Sequence, residues 1–371
     1  MRSASVLIKP ASSLCNMHCD YCFYCDEAAK REAASFGMME EDTLKAVIRQ
    51  TLPKTTHQYS LAFQGGEPTL RGLSFYRSAV DMLHRYNKNG AKITLAMQTN
   101  GVLIDDAWAR FFAENGFLLG LSVDGTKALH DARRHINGGG SAFDAAVQAA
   151  KLMDQYRVPY NILTVVHRET AAHIREIYYV CQQRGWHYLQ FIACLEPLHE
   201  GRGQAPWALT PKAYGSFLVE LFDLWYNDTL RGRAPSIRQF DNWLGMLLGY
   251  PPEACEQCGV CGMQYVVEAD GSVYPCDFYV LDDWRLGSFA LNSLEQIDER
   301  REALSFRKRS QPLPEKCQAC PHVFLCRNGC FRQREEGINY FCDSYRMFFD
   351  QCGKRLAALA EKMKRSGGAY G

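Results

Sequence analysis

The run SVLIKPASSLCNMHCDYC, Ser5 to Cys22, passes from a β-rich stretch straight into three cysteines separated by three and then two residues. Three thiolates on one short loop supply three ligands to a metal site and leave a fourth position open. A structural zinc or an electron-transfer iron-sulfur centre normally takes four protein ligands. The loop therefore points to a cluster whose last iron binds a small molecule. Cys25 follows Cys22 at another two-residue interval, and a zinc ion held by all four thiols satisfies the same spacing. The rest of the chain favours the cluster.

Outward from that loop, short β-rich runs alternate with helical patterns as far as about residue 197. Six strands are expected: Ser5 to Pro10, Tyr59 to Gln64, Lys92 to Thr99, Phe117 to Asp124, Tyr160 to His167 and Tyr188 to Cys194. Amphipathic helices such as EEDTLKAVIRQTL and DDAWARFFAENG lie between them, so the rhythm predicts a parallel sheet of βα units. Six strands are too few for a closed eight-stranded barrel, and a partial barrel is the natural form. Thr210 to Leu230 reads as one long helix, with Thr210 as N-cap and Pro211 at its first position, bridging the two halves of the chain.

In such folds ligand sites gather at the carboxyl ends of strands, and the unusual residues fall there. Strand two runs into Gln64-Gly-Gly-Glu-Pro68, strand three into Gln98-Thr-Asn-Gly101 and strand four into Ser122-Val-Asp-Gly125. Paired glycines let a backbone approach a ligand closely.

The 371 residues are 47% hydrophobic, enough for two domains or one large barrel with an appendage. Forty-two basic against 41 acidic side chains leave a formal charge of +1 without long single-sign blocks, which predicts no nucleic-acid or membrane-surface partner. No run approaches the roughly 20 apolar residues of a membrane span, and the N-terminal stretch lacks the apolar core of a signal peptide. The expected location is the cytoplasm, where clustered thiols are metal ligands rather than disulfides.

Sixteen cysteines are present, four between Cys15 and Cys25 and ten from Cys255 onward. Cys181 and Cys194, between the groups, read as core residues. The βα rhythm ends near residue 236, giving an expected division into residues 1–235 and 236–371. In the second part QYVVEADGSVYPC signals a hairpin turning at Asp270 and Gly271. Cys255, Cys261, Cys276, Cys317, Cys320, Cys326, Cys330 and Cys342 are enough for two fully ligated 4Fe-4S clusters. Paired C-x2-C motifs also suit a zinc ribbon. Cys258 leaves open a ligand swap with Cys255, Cys25 and Cys352 read as spare thiols, and the terminal SGGAYG reads as a frayed tail.

The three-cysteine loop with Tyr21, followed one βα unit later by GGEP, resembles the radical S-adenosylmethionine (SAM) enzymes. The later array resembles the SPASM domain of peptide-modifying members. The resemblance implies an α/β fold: a partial (β/α)6 TIM-like radical SAM barrel followed by a Cys-rich SPASM domain with a β-hairpin and helices. It implies three 4Fe-4S clusters: one at Cys15, Cys19 and Cys22 that binds SAM, one auxiliary at Cys255, Cys261, Cys276 and Cys330, and one auxiliary at Cys317, Cys320, Cys326 and Cys342. SAM contacts carried over by motif position are Tyr21, Gly66, Ser122, Leu195 and Arg134, the last with a one-residue ambiguity against Arg133.

Together with LIKPASSLCN, AFQGGEPTL, SIRQFDNWL and VYPCDFY, the whole chain is similar to the anaerobic sulfatase-maturating enzymes. These oxidise a Cys or Ser, in an unfolded sulfatase segment resembling Cys/Ser-x-Pro-x-Arg, to Cα-formylglycine. Asp277 then takes the position of the catalytic base, and a flavodoxin or ferredoxin is the implied electron donor. Two other readings stand beside this one. A SPASM maturase that crosslinks a peptide would often carry a recognition domain before the first strand, for which this chain leaves no room. A non-catalytic electron carrier would not need GGEP, Ser122 or an open ligand position.

Overall fold

The computed structural model describes residues 1–365; the SGGAYG tail lies outside the described residues. Six parallel strands follow one another in chain order: β1 (Ser3–Ile8), β2 (Gln58–Phe63), β3 (Lys92–Thr99), β4 (Phe117–Ser122), β5 (Tyr160–Val166) and β6 (Tyr188–Ala193). They match the expected strands to within two residues. The largest offset is at β1, which stops before Pro10 because proline has no N–H for the ladder, and which starts early because Ser3 and Ala4 pair with Gln58 and Tyr59.

The sheet does not stop at six strands. At one edge β7 (Ser236–Ile237) pairs in parallel with β6. At the other, β8 (Tyr265–Val267) lies parallel to β1, with Val6, Leu7 and Ile8 opposite Tyr265, Val266 and Val267. The predicted hairpin then runs through Asp270 and Gly271 into β9 (Ser272–Tyr274), and β10 (Gly287–Ser288) completes an open ten-stranded sheet. Residues on both sides of the 235/236 division therefore share one sheet. They also share one hydrophobic core.

A second seam joins the two halves. Thr210 accepts a hydrogen bond from Ala213 N, and the capped Pro211–Leu230 helix packs against the Cys342–Arg365 helix. Gly215 makes the close approach possible: a Cβ there would lie 2.9 Å from Met347 Sδ and 3.1 Å from Ser344 Cα. Phe222, Phe240, Trp243 and Phe348 fill the seam, with Trp243 and Phe348 stacked at 4.8 Å and Phe240 and Phe348 at 5.8 Å. Such aromatic pairs add about 0.5–1.5 kcal/mol each beyond their burial, so the C-terminal helix is a load-sharing part of the barrel wall.

Candidate active site

The loop after β1 is shaped before any ligand is considered. Met17–Cys19 pairs antiparallel with Arg134–Ile136, and Met17 N donates to Cys15 Sγ at 3.4 Å. Its other support is the Gly-Gly turn after β2. Gly66 has φ +50°, and a Cβ there would lie 2.0 Å from Leu14 O. The glycine is thus required by the cysteine loop's own backbone. Glu67 N donates to the same carbonyl, while its buried carboxylate accepts from Thr69 N, Thr69 Oγ1, Thr99 Oγ1 and Asn100 N at 2.6–3.1 Å. Asn100 in turn donates to Asn16 Oδ1 at 2.8 Å. Gly66→Ala is expected to displace the cysteine loop and to lower SAM cleavage at least tenfold while iron at the other sites remains. Deoxyadenosine yield and iron content measured together check this.

The loop opens onto a cavity of about 680 Å3, a size suited to a cofactor with part of a substrate. Cys15, Cys19 and Cys22 line it, as do Tyr21, Gly66, Ser122, Arg134 and Leu195. Cys255, Cys261, Cys276 and Cys330 line it as well. Cys317, Cys320, Cys326 and Cys342 line a separate cavity of about 180 Å3. Cys258 lines neither; its thiol is turned to Pro252 O. Cys25 is on the rim of the larger cavity, exposed. Among the described residues no three His, Cys, Asp or Glu side chains converge as a single metal ion requires. The thiols of a multi-iron cluster bind different irons and stand further apart.

The two neighbouring arginines face different ways. Arg133 lies outward and pairs with Asp20 and Glu169. Arg134 is buried, its Nε 2.8 Å from Asp124 Oδ2. Asp124 also takes hydrogen bonds from Tyr21 OH and Val165 N. Burial works against ionisation of Asp124, but the Arg134 guanidinium together with His130 and the Val165 N–H holds the carboxyl below its ordinary range. Asp124 thereby fixes Tyr21 and Arg134 together on the cavity wall.

Asp277 sits in the turn after Cys276 and faces the same cavity. Its Oδ1 pairs with Lys9 Nζ, and its Oδ2 accepts from Gln64 Nε2 at 2.7 Å. Lys9 is fully buried, its ammonium 3.7 Å from the Tyr24 ring centroid. Tyr24 OH donates to Glu268, which also pairs with Arg31 at 2.7 Å. Lys9 and Glu268 were not singled out in the sequence, and Gln64 and Asp124 stood there within strand-end runs without a role of their own. All but Glu268 had a signal: Lys9 and Gln64 directly follow a strand of the parallel sheet, and Asp124 lies two residues beyond β4.

Residues 10–179 match the radical SAM superfamily, and residues 255–321 match an iron-sulfur cluster-binding domain, SPASM. The cysteine-type anaerobic sulfatase-maturating enzyme of Clostridium novyi is 41% identical over 369 residues, 98% of this chain and 99% of its own length. The chain belongs to the anaerobic sulfatase-maturating enzymes. The serine-type enzyme of Klebsiella pneumoniae is 33% identical, over 93% of this chain and 86% of its own. A solved sulfatase-maturating enzyme, native anSMEcpe with bound AdoMet and Cp18Cys peptide, superposes with a TM-score of 0.92 at 42% identity, covering 97% of this chain and 99% of its own. As a radical SAM enzyme of this family, the protein uses SAM with a 4Fe-4S cluster, and its SPASM region binds auxiliary clusters. Among the described residues no helix is long and apolar enough to cross a membrane.

One group in this sulfatase-maturating enzyme stands apart from the ion pairs. Glu27, 1% exposed, has neither carboxylate oxygen hydrogen-bonded. Burial, with the Asp277 charge adding to it, pushes its carboxyl from 4.5 up to about 8, against the pull of Lys9, Arg332 and Arg31. A carboxyl raised on folding binds its proton more tightly in the native state. The native state therefore loses stability as pH rises from about 4.5 to about 8, by at most about 1.4 kcal/mol per pH unit. Glu27→Gln removes that loss. It is expected to be roughly 2 kcal/mol more stable relative to wild type at pH 8 than at pH 6, measured by anaerobic unfolding of the reconstituted protein at both values.

Proposed function

We propose that this enzyme converts a cysteine in an unfolded sulfatase segment to Cα-formylglycine, with serine as the second substrate to be tested. The observation that carries the reading is Asp277: a carboxylate on the wall of the cavity that the three-cysteine loop also lines, clamped by Lys9 and Gln64. The 41% identity to a cysteine-type enzyme against 33% to a serine-type one supports the choice of cysteine.

The residues fit the cofactors. Cys15, Cys19 and Cys22 would hold the SAM-binding cluster, and Gly66, Ser122, Arg134, Tyr21 and Leu195 would surround SAM. Cys255, Cys261, Cys276 and Cys330 would hold one auxiliary cluster, and Cys317, Cys320, Cys326 and Cys342 the other. When bound, SAM and its cluster would supply a 5′-deoxyadenosyl radical to take a hydrogen atom from Cβ of the target residue, the auxiliary clusters would accept the second electron, and water would replace the sulfur, which leaves as sulfide.

The chain's own work is proton handling and positioning. Asp277 accepts the proton of the target thiol within hydrogen-bond reach. Gln64 Nε2 holds one carboxylate oxygen of Asp277, and Lys9, buried against the Tyr24 ring, holds the other, which fixes the carboxylate in place. The Asp124 anchor holds Arg134 and Tyr21 in one arrangement, so the SAM side of the cavity is preorganised. A one-electron carrier such as flavodoxin or ferredoxin is proposed as the donor in the cytoplasm.

The test is anaerobic. Reconstituted protein is given SAM, dithionite and a Cys-x-Pro-x-Arg peptide or its Ser counterpart, and peptide mass is followed with deoxyadenosine. A loss of about 18 Da from the Cys peptide, or about 2 Da from the Ser peptide, coupled to deoxyadenosine establishes the reaction and ranks the substrates. Deoxyadenosine with neither change overturns the substrate assignment.

A further inference from the structure

One short loop separates the two cavities that carry the auxiliary cysteines. Cys326 and Asn328 line the smaller cavity and Cys330 the main one, so residues 326–330 are the partition between them. Arg327, Asn328 and Gly329 in that loop have φ of +49°, +64° and +56°. Left-handed backbone is strained at the two non-glycine positions, and the loop needs outside support to keep it. Asn339 N, which donates to Asn328 Oδ1 at 2.9 Å, supplies part of that support.

Arg334 supplies more of it. Its Nε donates to Asn328 O at 3.1 Å, and its Nη2 donates to Gly329 O at 3.1 Å and to Gly259 O at 2.8 Å. Its Nη1 donates to Ser310 O at 2.8 Å, and Ser310 Oγ in turn accepts from Cys261 N at 2.9 Å. A single guanidinium thus bonds the loop that joins a cysteine of each auxiliary set, Cys326 and Cys330, to the loop between Cys255 and Cys261. The task needs a planar fork with donors on three nitrogens, which an ammonium lacks.

All four acceptors are neutral carbonyls, so they fix the guanidinium without a carboxylate to cancel its charge. Arg334 forms no ion pair among the described residues, and it lines neither cavity. Burial works against its charge, and Cys261, Cys330 and Cys317, thiols of both auxiliary sets, favour it. A cluster held by four thiolates gains a further negative charge when it is reduced. A fixed cation beside it therefore favours the reduced form.

We propose that Arg334 is a positioning residue shared by the two auxiliary clusters, one uncancelled cation in the partition that raises the reduction potential of both. Each cluster takes up one electron, and the charge that Arg334 offsets is that electron's. The inference rests on the assignment of the eight cysteines to two clusters given above, and holds whichever peptide is oxidised.

The experiment titrates reconstituted holoenzyme anaerobically with dithionite and redox mediators, and counts reduced clusters by electron paramagnetic resonance. The signal that changes on adding SAM belongs to the SAM-binding cluster and is the internal control. The two other signals are the readout. In Arg334→Gln with wild-type iron content, both are expected to shift so that the reduced-to-oxidised ratio at a fixed potential drops about tenfold, which is about 59 mV for one electron, while the control stays in place. Arg334→Lys returns the charge without the fork and is expected to stay within about threefold of wild type. Unchanged midpoints in Arg334→Gln overturn the proposal, and so does a shift of one auxiliary cluster alone. If Arg334→Gln does not hold its iron, Arg334→Lys decides: ratios within about threefold of wild type support the charge, and a drop of about tenfold in both overturns it. Fewer than two auxiliary signals in wild type overturn the ligand assignment and the proposal with it, a failure visible before any variant is made.

Discussion

Replacing Cys15, Cys19 and Cys22 together by alanine is expected to abolish reductive cleavage of SAM while leaving about two-thirds of the iron, given three clusters of equal size. The large effect follows from ligand geometry. The three thiols lie on one loop that lines the main cavity, and of the eight others four line that cavity from the second half of the chain and four line a second cavity. Loss of the first set leaves the other two sets in place. The small sheet Met17–Cys19 with Arg134–Ile136 and the contact of Gly66 with Leu14 are backbone features that survive the substitutions, so the loop keeps its course. Iron and sulfide analysis with deoxyadenosine quantified by chromatography checks both halves. Full cleavage in the triple variant would remove these cysteines from the mechanism, and loss of all iron would mean that the three sites assemble as one.

Asp277→Asn should lower aldehyde formation by about 10²–10⁴-fold with SAM cleavage retained, because an amide of the same shape cannot accept the thiol proton. The substitution has a second effect. Lys9 is fully buried and Asp277 is its ion-pair partner, and a buried charge left without its partner costs about 3–5 kcal/mol. The single variant will therefore be less stable as well as less active. The double variant Lys9→Met with Asp277→Asn separates the two effects. It is expected to recover most of the melting temperature and none of the product. If product returns with stability, Asp277 acts only as a counter-charge; if both variants also lose SAM cleavage, the pair supports the cofactor side of the cavity.

Much of this architecture was readable from local pattern. The six parallel strands carry enough alternation to be seen singly, Asp270-Gly271 is a strong turn signal, and Thr210-Pro211 marks a helix start. Ser122 and Leu195 were named from the resemblance, by motif position, and both line the main cavity. What escaped shares one cause, dependence on distant pairing. The hairpin of β8 and β9 was expected, but the placement of β8 beside β1 joins positions about 260 apart in the chain. A lysine following a strand reads as a solvated residue until Asp277 is brought to it. Glu27 and Arg31 sit in a short polar stretch, CDEAAKRE, that gives no hint of burial. Arg133 and Arg134 are indistinguishable by spacing, and only the two-stranded sheet with the cysteine loop turns one inward.

The pairing of β8 with β1 bears on how the protein is made. A ribosome delivers β1 first, and its outer edge must wait for more than two-thirds of the chain before a partner arrives. Until then the nascent barrel presents bare backbone donors and acceptors along a strand, and Lys9 has no counter-ion to accompany it into the interior. Completion of the barrel edge and arrival of Asp277 beside Lys9 are thus a single late event of synthesis. A chain that stalls before residue 265 is left with a sticky seam, and a chain that closes that seam brings Asp277 with it.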